Sequence, residues 1–319
     1  MARSKDRFRN RIAVAMVVVA IVASACFPIL SSAYMVRTLT GFLFFLVLAQ
    51  CFNLVGGSSG YLNLGQGVFV GIGAYGFGVL LKAGLSCWQA LFVVALTGFM
   101  LGLLASPLLF RLKGETFALV NLAMLYIALL ISYRWRGVTG GADGFFLSSG
   151  GSLTLAFYGF SMLAAILLAV ASMLPGTRLG YEIRVIGHDD FLAESLGIAA
   201  FFVKAQVFVF STTLLSLAGA LFMLSEGYII PTTVFGLQVS LLPVAMAMAG
   251  GLGTPYGPFV GTLLIFGIQE WLWVYVGSME QSFLGILLIL TGKREAVKRI
   301  VGRKWRRMST PRTLDPSAP

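Results

Sequence analysis

The chain has 319 residues, of which 58% are hydrophobic and only 11% are charged, and its mean hydropathy is +0.91. A soluble domain carries about 25% charged residues, so this composition excludes a soluble globular protein. The formal net charge is +11, with one histidine and three cysteines. Cys26, Cys51 and Cys87 are too widely spaced to predict a disulfide framework or a metal site.

Apolar runs long enough to cross a bilayer recur along the whole chain. About 20 apolar residues cross a hydrocarbon core, and continuous rather than alternating apolar runs favour helices over a barrel. The chain is therefore predicted to be an all-α integral membrane protein with about ten transmembrane helices, or eight to ten. The runs lie at residues 12–30, 39–55, 61–81, 88–110, 116–132, 154–174, 205–225, 236–253, 256–276 and 282–292. Glycine-rich intervals at 56–78 and 250–261 indicate re-entrant or broken segments.

The distribution of lysine and arginine predicts the orientation. With ten spans and the amino terminus inside, all but four of the 23 lysines and arginines lie on the cytoplasmic side. The chain then has a basic cytoplasmic amino terminus at 1–11, a transmembrane domain at 12–292 and a basic cytoplasmic tail at 293–319 with a disordered end. Anionic membrane lipid explains the net positive charge, so no nucleic acid is expected as a partner.

The sequence predicts no catalytic residue and no metal site. The chain has one histidine and no paired carboxylates within a span, so few side chains could act as a general acid or base. The phosphate-binding pattern G-x-x-x-x-G-K-[ST] is also missing. The chain is therefore expected to be no enzyme and to bind no cofactor, so that ATP, if it drives the protein, is bound by another chain.

A few polar side chains fall within or beside the apolar runs. Asn53, Asn63 and Gln66 lie around the first glycine-rich stretch, and Glu270 lies deeper, in the outer half of its span. An ionised group at the middle of a bilayer costs about 3 kcal/mol, so such residues are candidates for a substrate path. Two alternatives remain open. Close helix packing explains the glycines, and the aromatic residues after Glu270 are typical of a membrane interface.

Residues 175–204 form the only long polar interval between apolar runs, and they include the single histidine. The pattern predicts two short amphipathic helices separated by a break at Gly187. Asp189 or Asp190 is expected to cap the second helix, and Gly197 to end it. The segment lacks the basic face of a helix that rests on headgroups, so it is expected to dock on another protein.

Five motifs occur in order along the chain, and together they resemble a known family. They are NL at 53–54 with GYLNLGQG at 60–67 and GIGAY at 71–75, LKGETFA at 112–118, TGGADG at 139–144, the loop segment 180–198, and GGLGT at 250–254 with GP at 257–258. Over most of residues 35–290 the chain resembles the permease subunits of bacterial ABC importers for branched-chain amino acids. The wider group includes ribose-type sugar and urea permeases.

The resemblance implies an ATP-driven importer in the bacterial inner membrane, with both termini cytoplasmic. Its partners would be a second permease subunit, homologous or identical, cytoplasmic ATPase subunits that bind ATP and Mg, and a periplasmic or extracellular solute-binding protein. The implied ATPase-coupling residues are Gly180, Tyr181, Glu182, Arg184, His188, Asp189, Asp190, Glu194, Leu196 and Gly197. The residues implied to face the binding protein are Thr139, Gly140, Gly141, Asp143 and Gly144.

A self-sufficient secondary transporter or channel remains an alternative. The scarcity of acidic residues within the spans and the long cytoplasmic loop favour the ATP-driven subunit. The substrate stays open between branched-chain amino acids, urea, a nucleoside and another small solute.

Overall fold

The computed structural model describes residues 32–57, 60–112, 114–147 and 150–276. The chain divides into two compact units, Met1–Phe266 and Gly267–Pro319. The predicted spans at 12–30 and 282–292 lie outside the described residues, as do the two basic termini. The first unit contains the segments that the sequence singled out, apart from Glu270.

Helices account for most of the described chain. They are α1 (Ala33–Phe52), α2 (Gln66–Lys82), α3 (Cys87–Leu109), α4 (Glu115–Arg134), α5 (Arg136–Thr139), α6 (Leu153–Met173), α7 (Arg178–His188), α8 (Asp190–Ser195), α9 (Ala200–Glu226), α10 (Pro231–Val234), α11 (Leu237–Gly250) and α12 (Gly257–Val276). Short turns lie between some of them: a π turn (Asn53–Gly57) and two 3-10 turns (Gly141–Asp143 and Leu174–Gly176). Two residues each form β1 (Phe145–Phe146) and β2 (Tyr228–Ile229).

The helices confirm the prediction of a multi-pass all-α membrane protein. Each predicted span that falls on described residues overlaps a helix, although α2 and α11 have only 17 and 14 residues. Among the described residues, six segments are long and apolar enough to cross a membrane: Ala33–Gly57, Cys87–Leu109, Glu115–Arg134, Leu153–Gly176, Ala200–Glu226 and Pro231–Gly250. About ten spans for the whole chain is compatible with these and the shorter apolar helices.

The first glycine-rich interval is a broken helix, as predicted. Helix α1 ends in the π turn, and regular α-helix resumes only at Gln66. The resumed helix α2 has 17 residues. It is therefore about 25 Å long, less than the roughly 30 Å of a hydrocarbon core. The second interval is not broken within a span, because residues 251–256 simply connect α11 to α12.

Helix α9 is the centre of the core and packs tightly against α2. A Cβ at Gly73 would overlap the carbonyl oxygen of Ser216, and a Cβ at Gly219 would overlap that of Val70. Glycine at these two positions allows the backbones to approach closely, which is a common way to associate helices in lipid. The glycine content of α2 is therefore explained in part by packing.

A small antiparallel pair closes one end of the core. Phe145 pairs with Ile229 and Phe146 with Tyr228. At the same end, Arg37 near the start of α1 forms an ion pair with Glu226 at the end of α9. The sequence did not predict this pairing, because runs of two residues are shorter than any usual strand signal.

Candidate functional site

The polar interval at 175–204 folds into the two short helices that its pattern predicted. Thr177 caps α7 by accepting from the Gly180 amide at 3.2 Å. Asp189 caps α8 by accepting from the amides of Phe191 at 2.8 Å and Leu192 at 3.4 Å. Gly197 follows the end of α8 with φ +76, a conformation that favours glycine.

The predicted break at Gly187 is wrong by two residues. Helix α7 continues through Gly187 and ends at His188, because Asp189 adopts an extended conformation with φ −163 and begins the next cap. A glycine inside a helix costs only about 1 kcal/mol relative to alanine, so it does not by itself end one.

One face of these helices is anchored on the start of α9. Ile183 and Ile186 of α7 and Ala193 of α8 form a buried cluster with Ala200 and Val203. The cluster is separate from the main core among the described residues. The two short helices are therefore attached to α9 as a packed unit, so displacement of one would act directly on the other.

The other side chains of these helices include several exposed apolar residues, which we call the coupling patch: Tyr181, Phe191, Leu192 and Leu196. Phe191 is 78% exposed and Tyr181 is 62% exposed. Beyond the end of a membrane-spanning helix, such exposure is unfavourable unless another surface covers it. The patch therefore has the character of a protein-docking surface.

The charged residues of the segment mostly stabilise the segment itself. The Arg178 guanidinium contacts the Glu182 carboxylate at 2.7 Å, one turn away on α7. Arg184 donates to the carbonyl oxygens of Pro175 at 2.6 Å and Gly180 at 3.1 Å. Glu194 is exposed on α8, while His188 and Asp190 lie at the junction of the two helices. Glu182 and Arg184 thus hold α7 in place from within.

Asn53 joins two motifs that are 200 residues apart in the sequence. Its Nδ2 donates to the Thr254 carbonyl oxygen at 2.9 Å, and its Oδ1 accepts from the Gly253 amide at 2.8 Å. One turn earlier on α1, Gln50 donates to the carbonyl oxygen of Pro255 at 2.9 Å. These bonds attach the π turn to the connection between α11 and α12.

A polar cavity of about 290 Å³ lies where these parts meet. Asn53 and Gly57 of the π turn, Arg184 and Gly187 of α7, and Thr254 are among the residues that line it. This cavity is therefore lined by α7 of the coupling helices, by the broken helix and by the late glycine motif, and we call the region around it the joint. The joint lies at the end of the bundle from which α9 begins.

Lys204 makes a second connection at this joint. It is only 7% exposed, and its Nζ donates to the Tyr61 hydroxyl at 2.8 Å, with the ammonium 4.3 Å from the centre of the Tyr61 ring. A buried ammonium needs such partners, because desolvation alone strongly disfavours the charge. The start of α9 is thereby linked to residues 60–65, the non-helical part of the broken helix.

The predicted path residues Asn63 and Gln66 are both buried at the start of α2. The Oδ1 of Asn63 accepts from the Gly65 amide at 3.1 Å. Its Nδ2 and both polar atoms of the Gln66 side chain have no hydrogen-bond partner among the described residues. Buried amides of this kind are usually paired, so they are the polar groups in this region with unused hydrogen-bonding capacity.

Two buried residues that sequence reasoning missed adjoin the same helix end. Gly65 lies so close to Asn121 of α4 that a Cβ there would come within 2.9 Å of its Oδ1. The Gly67 amide donates to the Ser240 hydroxyl of α11 at 3.1 Å. A lone asparagine in an otherwise apolar span was the available signal for Asn121; a single serine gives no such signal.

Glu270 lies on the part of α12 that belongs to the second compact unit, where it is half-buried. Asn53 differs from Asn63 and Gln66, because both polar atoms of its side-chain amide are bonded to backbone groups.

The segment from Thr139 to Gly144 is a tight turn at the other end of the bundle. Thr139 is buried and donates to the Trp135 carbonyl oxygen at 2.9 Å. Gly140, Gly141 and Gly144 all have positive φ, and Asp143 is exposed. The Tyr228 hydroxyl donates to the Asp143 carbonyl oxygen at 3.1 Å, which fixes the turn on the β2 side.

Helix α9 separates the two candidate surfaces. The coupling helices pack on its start, and the turn with β1 and β2 adjoins its end. A helix of 27 residues is about 40 Å long, enough to cross a bilayer. The coupling patch and the Thr139 to Gly144 turn therefore lie at opposite ends of a membrane-spanning helix.

Residues 34–292 match the model of a family described as the permease component of the branched-chain amino acid transport system. The chain belongs to this family. The match extends from the start of α1 past the end of α12, so it includes both ends of the bundle and the joint described above. This permease is a multi-pass membrane protein and a component of a transport system.

Two curated relatives support the assignment of the permease. It is 28% identical over 306 residues to the high-affinity branched-chain amino acid transport system permease protein LivM of Salmonella typhimurium, covering 85% of this chain and 71% of that protein. The same values hold for LivM of Escherichia coli. No solved structure matches the chain.

Proposed function

We propose that this permease is the membrane subunit of an ATP-driven importer for branched-chain amino acids in a bacterial inner membrane. ATPase subunits that carry ATP and Mg would bind its coupling patch, and a solute-binding protein would deliver substrate to the Thr139 to Gly144 turn. A second permease subunit, homologous or identical, would complete the path. The chain itself would have no catalytic site.

The coupling patch is the observation that carries this proposal. It combines exposed apolar side chains with helices that are anchored on α9, and Lys204 near the start of α9 donates to Tyr61 in the non-helical part of the broken helix. A docked ATPase that moved α7 and α8 would therefore displace α9 and, through Lys204, this part of the broken helix. Such rigid transmission is what switching a membrane path between its two sides requires.

The buried amides support a path beside the broken helix. Asn63 and Gln66 have unused polar atoms at the start of α2, where Asn121 and Ser240 add further hydrogen-bonding groups. We place the substrate path along this helix end. Asn53 would position the path through its backbone contacts, and the role of Glu270 stays a prediction from the sequence.

Reconstitution tests the proposal. The permease is placed in vesicles with a second permease subunit, ATPase subunits and a solute-binding protein from the same organism, and uptake of radiolabelled leucine is measured. Uptake is expected only when ATP, the ATPase and the binding protein are all present. Uptake by the permease alone, driven by an ion gradient, would instead establish a secondary transporter.

Cysteine labelling tests the orientation of the permease. In a chain whose native cysteines are replaced by alanine, Tyr181→Cys is expected to react with a membrane-impermeant maleimide only in inverted vesicles. Asp143→Cys is expected to react only in intact spheroplasts. Both parent residues are exposed in the isolated chain and lie at opposite ends of α9, so accessibility of the side chain does not limit either reaction when the permease is expressed without its ATPase. Labelling of Tyr181→Cys from outside would contradict the proposed orientation.

A further inference from the structure

Two stacked and exposed aromatic rings lie on the small antiparallel sheet, next to the end of α9. Phe146 on β1 and Tyr228 on β2 are paired in register, and the centres of their rings are 4.2 Å apart. Phe146 is 70% exposed and Tyr228 is 39% exposed. We call these two residues the aromatic pair. Large aromatic side chains of this kind are typical anchors of protein interfaces.

The fold holds the aromatic pair in place. The Tyr228 hydroxyl donates to the Asp143 carbonyl oxygen, and the Tyr228 ring packs so closely on Gly144 that a Cβ there would come within 2.6 Å of it. Phe145 on β1 is buried, and the centre of its ring is 6.3 Å from that of Tyr75. Because these contacts order the sheet in advance, a partner that bound the aromatic pair would lose little conformational entropy.

The neighbouring turn at 139–144 offers few side chains of its own. Thr139 is buried, and three of the other residues of the turn are glycines. Ala142 and Asp143 are its exposed residues. Much of the side-chain surface that a partner could contact beside the turn therefore belongs to the aromatic pair.

The aromatic pair lies at the level of the lipid headgroups or beyond it. Tyr228 follows Glu226, the last residue of α9, and this helix is about 40 Å long against about 30 Å of hydrocarbon. Arg37 forms its ion pair with Glu226 at the same level, and Asp143 is exposed there. Lipid chains do not cover rings among charged groups, and their exposure to water is unfavourable until a partner buries them.

Cationic side chains outnumber acidic ones at this end of the first compact unit. The described residues include four cations and two acids, namely Arg37, Lys82, Arg134 and Arg136, with Asp143 and Glu226. The Lys82 Nζ is 5.9 Å from the centre of the Phe145 ring, and a Cβ at Gly141 would come within 2.8 Å of the Arg136 Cγ. Since Arg37 and Glu226 neutralise each other, the surface beside the aromatic pair is positive.

We propose that the solute-binding protein docks on the aromatic pair, and that Lys82, Arg134 and Arg136 attract acidic residues around the contact. The inference rests on the proposed function and adds the chemistry of the partner's face, which is an apolar pocket with an acidic rim. The aromatic anchor supplies most of the affinity, while the opposite charges accelerate encounter and fix the orientation. Anionic phospholipid headgroups and a second permease copy are the competing occupants.

Phe146→Ala tests the anchor. The variant is assembled with its partner subunits in nanodiscs of phosphatidylcholine, and binding of the solute-binding protein from the same organism is measured by surface plasmon resonance. The dissociation constant is expected to rise at least about tenfold, the effect of removing a central aromatic contact. In vesicles, the KM of leucine uptake for the binding protein should rise by the same factor with the maximal rate retained, because docking is weakened and later steps are not.

Trp88→Ala is the matched control for Phe146→Ala. The Trp88 ring is 72% exposed and lies near the start of α3, a few residues after Lys82, so it is at the same end of the bundle but outside the aromatic pair. Binding of the solute-binding protein and the KM should both be unchanged in this variant.

Arg136→Glu tests the charge. The dissociation constant is expected to rise at least about tenfold in about 0.05 M salt and by a smaller factor in about 1 M salt, because ions screen exposed charges over a few ångströms at the higher concentration. Arg111→Glu changes the net charge equally at the joint end of the bundle, and its binding curve should match that of the unsubstituted complex. Melting curves of the two variants check that both are folded.

The outcomes separate the inference from the proposed function. Unchanged binding in Phe146→Ala and Arg136→Glu, with ATP-dependent uptake by the unsubstituted complex, overturns the inference and leaves the proposed function in place. Losses that appear only in nanodiscs with anionic phospholipid would assign the surface to headgroups, and separation of the two permease subunits would assign it to their contact; either result overturns the inference. Absence of any uptake by the unsubstituted complex contradicts the proposed function, and the inference with it.

Discussion

Phe191→Asp is expected to abolish coupling to the ATPase without unfolding the permease. The Phe191 side chain is 78% exposed on α8, so a carboxylate at this position is solvated in the isolated chain. In a docked complex the carboxylate would be buried in an apolar contact. Loss of one central aromatic contact weakens binding by about 2 kcal/mol or more, equivalent to roughly 30-fold. Co-purification of the ATPase and ATP-dependent leucine uptake should both fall by at least tenfold.

Arg111→Ala is the control for Phe191→Asp. Both substitutions change the net charge by the same amount, and both sites follow a membrane-spanning helix at the joint end of the bundle, where the Phe110 ring lies 5.8 Å from that of Tyr61. Arg111→Ala is expected to keep normal uptake and ATPase binding. Equal losses in both variants would show that charge, rather than the coupling patch, governs the interaction.

The sequence predicts the membrane fold well because the bilayer sets the same requirement for each helix separately. A span must close its own backbone hydrogen bonds over about 20 apolar residues, so each helix is visible in its own stretch of sequence. The two coupling helices were also predictable, since Asp189 and Gly197 act on their immediate neighbours. Only the end of α7 was misplaced, because a cap at Asp189 outweighs the weak propensity of Gly187.

The contacts that connect these elements were not predictable. Asn53 finds its partners at Gly253 and Thr254, and Lys204 finds Tyr61, across sequence separations that no local pattern encodes. The cluster around Gln66 depends on Asn121 and Ser240 in the same way. The sequence identified Asn53 as a polar residue at a broken helix, but its position alone could not distinguish a substrate ligand from a brace between two turns.

Asn53→Ala is expected to destabilise the permease and to stop transport. The substitution leaves the Gly253 amide and the Thr254 carbonyl oxygen without the partners they have in the structure. Both hydrogen bonds are only partly buried, and such a bond contributes about 0.5–1.5 kcal/mol, so a loss of about 1–3 kcal/mol in folding free energy is expected. In detergent the apparent Tm should fall by about 2–5 °C. Uptake should be lost even below that temperature, because the π turn no longer moves with the connection between α11 and α12.

Asn121→Ala tests whether removal of any buried asparagine amide has the same effect, or only removal of one that connects two turns. Asn121 is as buried as Asn53, but within the described part of the chain its Nδ2 donates only to the Phe117 carbonyl oxygen one turn earlier on α4. That carbonyl oxygen also lies within the backbone ladder of the helix, so the substitution should lower the Tm by much less. If Asn53→Ala proved as stable as Asn121→Ala but still failed to transport leucine, Asn53 would act on the substrate itself. The bidentate contact with Gly253 and Thr254 would then be secondary to binding.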